Sequence, residues 1–255
     1  LDVTDENLVE IESGENAHSV PKHNEAVREM CRAVAGHVSE AVAKDSFPLV
    51  LGGDQSVSIG AFAGLTKHYG KLGAICFTAY GGLLTERTSP TGAANGMPLA
   101  VALGEADFQL TEAAEGARLL EKERVVLIGV RHLEPEEREW IRRNGIVLFS
   151  MYDIDKHGIE AVVKKAVEIA GDGADGVHLS FSADALDPVE APGVGFPIPG
   201  GLSYREAHFA CELLAETGRI TSMDVTEVNP MQDENRRTAR LAVGLVMSAL
   251  GKRIL

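Results

Sequence analysis

Positive charge is scarce in this 255-residue sequence: 24 Lys and Arg stand against 38 Asp and Glu, a formal net charge of −14 with histidines neutral. A protein that holds nucleic acid neutralises phosphates with a basic surface, and the one local basic group, Arg236-Arg237 with Arg240, lies in an acidic surround. Nucleic acid is therefore not expected as a partner. Long hydrophobic runs are missing too. The longest, such as 125–130, fall far below the ~20 apolar residues of a bilayer-crossing helix, so no membrane association is expected. The opening Leu-Asp-Val-Thr-Asp-Glu has none of the charged-then-apolar character of a secretory leader. Cysteine is sparse: Cys31, Cys76 and Cys211 are odd in number, far apart and not in a CxxC pair. Buried thiols in a reducing, cytoplasmic setting follow as the expectation.

Several chemical signatures are also missing. The eight histidines form no HxH or HxxxH pair at a strand end, which argues against a histidine-based metal site, and His178, inside an apolar run, reads as a core histidine. Neither Ser56 nor Ser182 sits in a Gly-x-Ser-x-Gly elbow. Gly52-Gly53 follows an apolar run, but no GxGxxG or Walker lysine accompanies it, so phosphate binding is a weak reading. Cys76 reads as a small buried hydrophobe. Asp54 reads as an acceptor for loop N–H groups, and Asp187, before Pro188, as a turn former.

What is present is the composition of an ordinary folded protein, 45% hydrophobic and 24% charged. No Pro/Gly/Ser linker divides it, and about 250 residues suffice for one large domain, so residues 1–255 read as a single domain. Apolar positions recur at helical spacing over 21–44, and again near 56–69, 98–104, 134–143, 158–170, 203–216 and 233–249. Between them lie apolar strand-like runs at 48–51, 72–77, 125–130, 146–149, 177–181 and 220–225. Continuous apolar strands alternating with amphipathic helices predict an α/β fold, doubly wound, with a mainly parallel sheet and helices on both faces. Ligand sites in such sheets form at the carboxyl ends of the strands. The segments 52–56, 78–96, 131–137, 182–201 and 226–231 are the ones to inspect.

Read in order, those segments resemble the arginase and agmatinase family of binuclear manganese ureohydrolases. The phrases are Leu51-Gly-Gly-Asp-Gln-Ser56, Thr88-Ser-Pro-Thr-Gly92 with Gly96-Met-Pro-Leu-Ala100, and Ser180-Phe-Ser-Ala-Asp-Ala-Leu-Asp-Pro188. Ala191-Pro-Gly-Val-Gly195, Gly200-Gly-Leu-Ser-Tyr-Arg-Glu206, Glu227-Val-Asn-Pro230 and Thr238-Ala239 complete the match. The resemblance covers nearly the whole chain and is greatest to bacterial arginases. It implies an arginase-like three-layer fold, a metal pocket at the strand ends, and trimers or hexamers. Nothing before Pro21 looks like the family's first strand and Gly-rich loop.

The resemblance also implies six metal-ligand positions, and five of them differ here. Gln55 stands at the family's His, Thr78, Tyr80 and Gly82 stand where the family reads Asp-Ala-His-x-Asp, and Ser182 stands at an Asp; Asp184 is the only retained ligand. On the substrate side the family's two Asn positions are Leu84 and Ala93, and its proton-shuttle His is Asn95. Glu227 keeps the guanidinium-facing carboxylate, and Glu134 and Glu137 stand where the family places acidic residues near the substrate's α-amino group. Clustered carboxylates are tolerable only while metal offsets their repulsion, so the set of changes reads as a pocket relieved of its metals together.

The expectation from these positions is an arginase-like protein without the manganese pair and without a cofactor, inactive as an arginase. It would act as a binding, regulatory or structural subunit of an oligomer, alongside an active paralogue or with a guanidino or amino-acid ligand. The alternative is a metal-dependent hydrolase of arginine or agmatine that uses other ligands. Tyr80 is expected to fill part of the vacated space and to hydrogen-bond Asp184 or Gln55.

Overall fold

The computed structural model describes residues 25–253. The expected absence of the family's first strand falls on residues outside that range, as does the start of the helix expected from position 21. In chain order the elements are α1 (Glu25–Ala43), β1 (Leu49–Leu51), α2 (Val57–Thr66), β2 (Leu72–Phe77), α3 (Pro98–Ala102), α4 (Leu110–Ala113) and β3 (Val125–Val130). Then follow α5 (Pro135–Asn144), β4 (Val147–Ser150), α6 (Met151–His157), α7 (Ile159–Ala170), β5 (Gly176–Ser182), α8 (Tyr204–Glu216), β6 (Ile220–Thr226) and α9 (Arg237–Ala249).

The six strands form one sheet in the order β1-β6-β5-β2-β3-β4, and every neighbouring pair is parallel. The pleat sends alternate side chains to opposite faces. Ala74, Cys76, Val125 and Leu127 pack with α1, α2 and α4 on one face. Ile75, Phe77, Val126, Ile128, Leu179 and Phe181 pack with α7, α8 and the inner side of α9 on the other. Phe77 and Phe181 stack across the β2–β5 pair at 5.3 Å between ring centroids, a geometry worth about 0.5–1.5 kcal/mol beyond the area buried.

One departure from the expected all-apolar strands matters for function. On the face toward α2, β5 and β6 present His178, Ser180 and Ser182 beside Ser222, Asp224 and Thr226, all buried. Registered pairs His178 with Ser222, Ser180 with Asp224 and Ser182 with Thr226 make this a continuous polar strip inside the core. Phe62 of α2 meets the His178 ring edge-on at 5.3 Å. The strip runs up to the strand ends, where the pocket lies.

The chain also contains α6, which the hydrophobic spacing did not predict. Its start is fixed by Ser150 and Asp153, which cap each other's backbone as a capping box.

Candidate functional site

In this sheet β2 connects onward to β3 on one side, while its other neighbour β5 connects onward to β6 in the opposite direction. The crevice between the carboxyl ends of β2 and β5 is thus the topological switch point, where open α/β sheets bind ligands. Thr78 and Tyr80 follow β2, and Ser182 and Asp184 end and follow β5. The fold therefore brings together four of the positions singled out in the sequence.

Asp184 ties the two strand ends. It is buried, and its Oδ1 accepts the Ala79 N–H at 2.9 Å. Burial raises its pKa, and the Ala79 hydrogen bond is the first of the contacts that pull it back. Glu227 comes in from the end of β6 with a left-handed backbone, φ 63°. Its Oε1 accepts the Gln55 N–H at 2.9 Å, and its own N–H donates to the Gly53 carbonyl at 2.7 Å. Burial, and then the charge of Asp184, push the Glu227 carboxyl up to about 7.

Tyr80 differs from its expected partners. Its hydroxyl donates to the Phe196 carbonyl at 2.9 Å, rather than to Asp184 or Gln55. The reason lies in the backbone around it: the Tyr80 N–H is held by Thr78 Oγ1 at 3.1 Å, and the ring meets His132 edge-on at 5.5 Å, directing the phenol toward the loop after β5. Burial, with Asp184 next, pushes that phenol up to about 12.

The glycines after Tyr80 admit this crowding. A Cβ on Gly81 would lie 2.5 Å from Glu137 Oε1, and Gly82 has φ +66°, a conformation that costs a side-chain-bearing residue. Glu137 is committed to the backbone, accepting the Leu83 N–H at 3.0 Å and the Glu134 N–H at 3.1 Å. Both carboxylate oxygens thus hold the 81–83 segment against the start of α5. Glu134 lies 3.7 Å from His132 Nε2. Asn95 lies in a short 3-10 turn, Ala94–Gly96, stitched to this segment through the Leu84 N–H on the Gly96 carbonyl at 3.0 Å.

Arg131, absent from the sequence-based candidates, orders the other side. Its guanidinium donates to the carbonyls of Asp184 at 2.8 Å, Leu186 at 3.1 Å and Ile198 at 2.7 Å. Partners so distant in sequence leave no local pattern to read; its place just after an apolar strand was the one available signal. Asp54 and Asp187 do what their settings predicted. Asp54 accepts the Ser56 N–H at 2.9 Å. Asp187 accepts the N–H groups of Val189 at 2.9 Å, Gly200 at 2.7 Å and Gly201 at 3.1 Å. His178 is a core residue, with Nδ1 2.9 Å from Ser222 Oγ and Nε2 3.0 Å from Asp224 Oδ2.

Beneath the 81–82 segment lies a cavity of about 10 Å³ lined by Gln55, Ser58, Cys76, Thr78, Gly82 and Ser180, among others, which is room for about one water. The buried hydroxyls of Ser58 and Thr226 have no protein hydrogen-bond partner. This donor set does not fit a pair of manganese ions, which require clustered carboxylates and imidazoles. Gln55, Thr78, Gly82 and Ser182 bring no charge, and among the described residues no group of three or more His, Cys, Asp or Glu is placed to hold a metal ion.

Fold and site together define a parallel α/β protein with a strand-end pocket containing two carboxyls, Asp184 and Glu227. The model of the arginase family matches residues 1–251, and the chain belongs to that family. It is 44% identical over 241 residues to the arginase of Bacillus caldovelox, covering 94% of this chain and 81% of that protein. It is 40% identical over 261 residues to the arginase of Staphylococcus aureus strain MRSA252, covering 100% of this chain and 86% of that protein. The crystal structure of arginase from Bacillus subtilis superposes with a TM-score of 0.92 at 42% identity, covering 97% of this chain and 84% of that one.

These relatives correct the expectation of an inactive, non-catalytic subunit. Proteins 40–45% identical over most of the chain are named arginase, and they support the alternative, a hydrolase of a guanidino compound.

Proposed function

We propose that this chain hydrolyses a guanidino compound, arginine first and agmatine second, to urea and the corresponding amine. The observation that carries this reading is the 44% identity with an arginase over 94% of the chain. Two carboxyls at the switch point add support, because Asp184 and Glu227 offer a buried acidic receptor for a planar cation. A bound guanidinium stabilises ionised Glu227, so ligand binding and loss of the Glu227 proton are coupled. The family's chemistry draws on manganese, which would activate water in that setting; the donors assembled in this pocket do not fit that pair.

The decisive measurement is urea release from arginine and from agmatine, with manganese supplied and with a chelator, on protein whose metal content is determined in parallel. Urea from either substrate is the expected result; none from either under both conditions overturns the reading. Assembly into trimers or hexamers belongs to the same proposal and is supported by exposed Val243 and Met247 on α9; a monomeric mass by light scattering would sink it. Free, buried Cys31, Cys76 and Cys211 support a reducing, cytoplasmic location. Among the described residues no helix is long and apolar enough to cross a membrane.

A further inference from the structure

The loop from Asp187 to Gly201 passes over the pocket, and its stems and its crown are held differently. The stems are held from outside the pocket. Asp187 binds the N–H groups of Val189, Gly200 and Gly201; Arg131 binds the carbonyls of Leu186 and Ile198; and Thr238 Oγ1 accepts the Gly193 N–H at 2.8 Å. The crown is held from inside the pocket, by the Tyr80 hydroxyl on the Phe196 carbonyl. The Phe196 side chain itself is 65% exposed and gives the crown little packing of its own.

Tyr80 thus spans the crevice from the end of β2 to the loop after β5. Asp184 and Glu227 are near enough for their charges to act on its phenol, which places the bridge beside the two carboxyls. The crown itself closes on the same carboxyl: a Cβ on Gly195 would lie 3.4 Å from Glu227 Oε2, which leaves no room for a guanidinium group between the strapped loop and Glu227.

We propose that Tyr80 is a gate: it straps the 187–201 loop across the crevice, and a guanidino compound reaches Asp184 and Glu227 only when the Tyr80–Phe196 bond opens and the ring turns away. The freed Phe196 carbonyl then becomes an acceptor for the incoming N–H donors. The identity of the ligand rests on the guanidino reading above; the strap does not.

Hydrogen exchange on the whole chain tests the strap without any ligand. Tyr80→Phe keeps the ring and its contact with His132 and removes only the hydroxyl. Amides of the crown, 194 to 196, are expected to exchange about fivefold faster, the factor that one net hydrogen bond carries, while those of the separately held stems and of β5 stay unchanged. Unchanged exchange in the loop overturns the gate. Association of agmatine and of methylguanidine, followed by stopped flow, is then expected to quicken from the parent chain to Tyr80→Phe to Tyr80→Ala, and equal rates in all three overturn the gate as well. Faster loop exchange with no binding of either compound to any of the three chains supports the strap and overturns the guanidino reading.

Discussion

The polar strip on β5 and β6 has two ends that differ in one respect. At the deeper end His178, Ser180, Ser222 and Asp224 satisfy one another, with Ser180 Oγ on Asp224 Oδ1 at 2.8 Å and His178 between Ser222 and Asp224. At the strand-end side Thr226 is just as buried, yet its hydroxyl has no protein partner. The same two strands, in the same register, thus carry a closed network and an open one. Buried polar groups contribute to stability when every member is paired and cost stability when they are not. The closed end is a structural keystone, and the open end, leading to Asp184 and Glu227, is where the chain leaves hydrogen-bonding capacity uncommitted.

The sharpest way to break this comparison is Asp224→Ala, which strips His178 and Ser180 of their shared acceptor. Removing one partner from such a buried pair costs about 3–5 kcal/mol, and urea denaturation is expected to show a loss of that size. A loss below about 1 kcal/mol would mean that the deeper end is no keystone.

Glu227 gives the next largest effect, with a sign set by its raised pKa. Its carboxyl titrates near 7 in the folded chain against an ordinary value of 4.5. Between those values the folded state holds the proton more tightly than the unfolded state, so stability falls as pH rises through that window and levels off above it. Glu227→Gln removes this slope and is expected to stabilise the chain at pH 8 by on the order of 2 kcal/mol. Melting curves from pH 4 to 8 that are parallel for the two chains would contradict it.

Glu137→Ala leaves the Leu83 and Glu134 N–H groups without their acceptor and is expected to cost about 1–2 kcal/mol, as loss of a helix cap does, with faster exchange confined to 81–84 and the start of α5. The smallest effect is expected at the open end. Thr226→Val removes a hydroxyl without a protein partner while keeping its shape, and a change within about 1 kcal/mol of zero, in the stabilising direction, is anticipated. A destabilisation as large as that of Asp224→Ala would erase the distinction between the two ends.

Much of the scaffold was legible from the sequence because it rests on local periodicity. The runs at 72–77 and 125–130 coincide with β2 and β3, and the other strands fall within a residue of their expected limits. α6 was missed because its seven residues are too few for a period to emerge, although Ser150 and Asp153 at capping-box spacing were a readable signal. The candidate site was legible as a set of segments and less so as a set of contacts. Strand-end placement brought Thr78, Ser182 and Asp184 to one crevice, as parallel α/β topology requires. The partner of Tyr80 and the role of Arg131 depend on a loop more than fifty residues away, and no spacing rule encodes that. Function was the least legible part. The ligand positions taken alone pointed to an inactive subunit, whereas the relatives that share the whole chain are named arginase.

Asp187 has a further consequence for how this chain can vary. One carboxylate gathers residues 189, 200 and 201, so the segment between them is a loop whose ends are already joined. The entropy of closing such a loop grows only with the logarithm of its length. Residues can be added to or removed from its crown at little cost to the sheet beneath, which makes the stretch over the crevice a cassette: replaceable in sequence and length while the strands that carry Asp184 and Glu227 stay where they are.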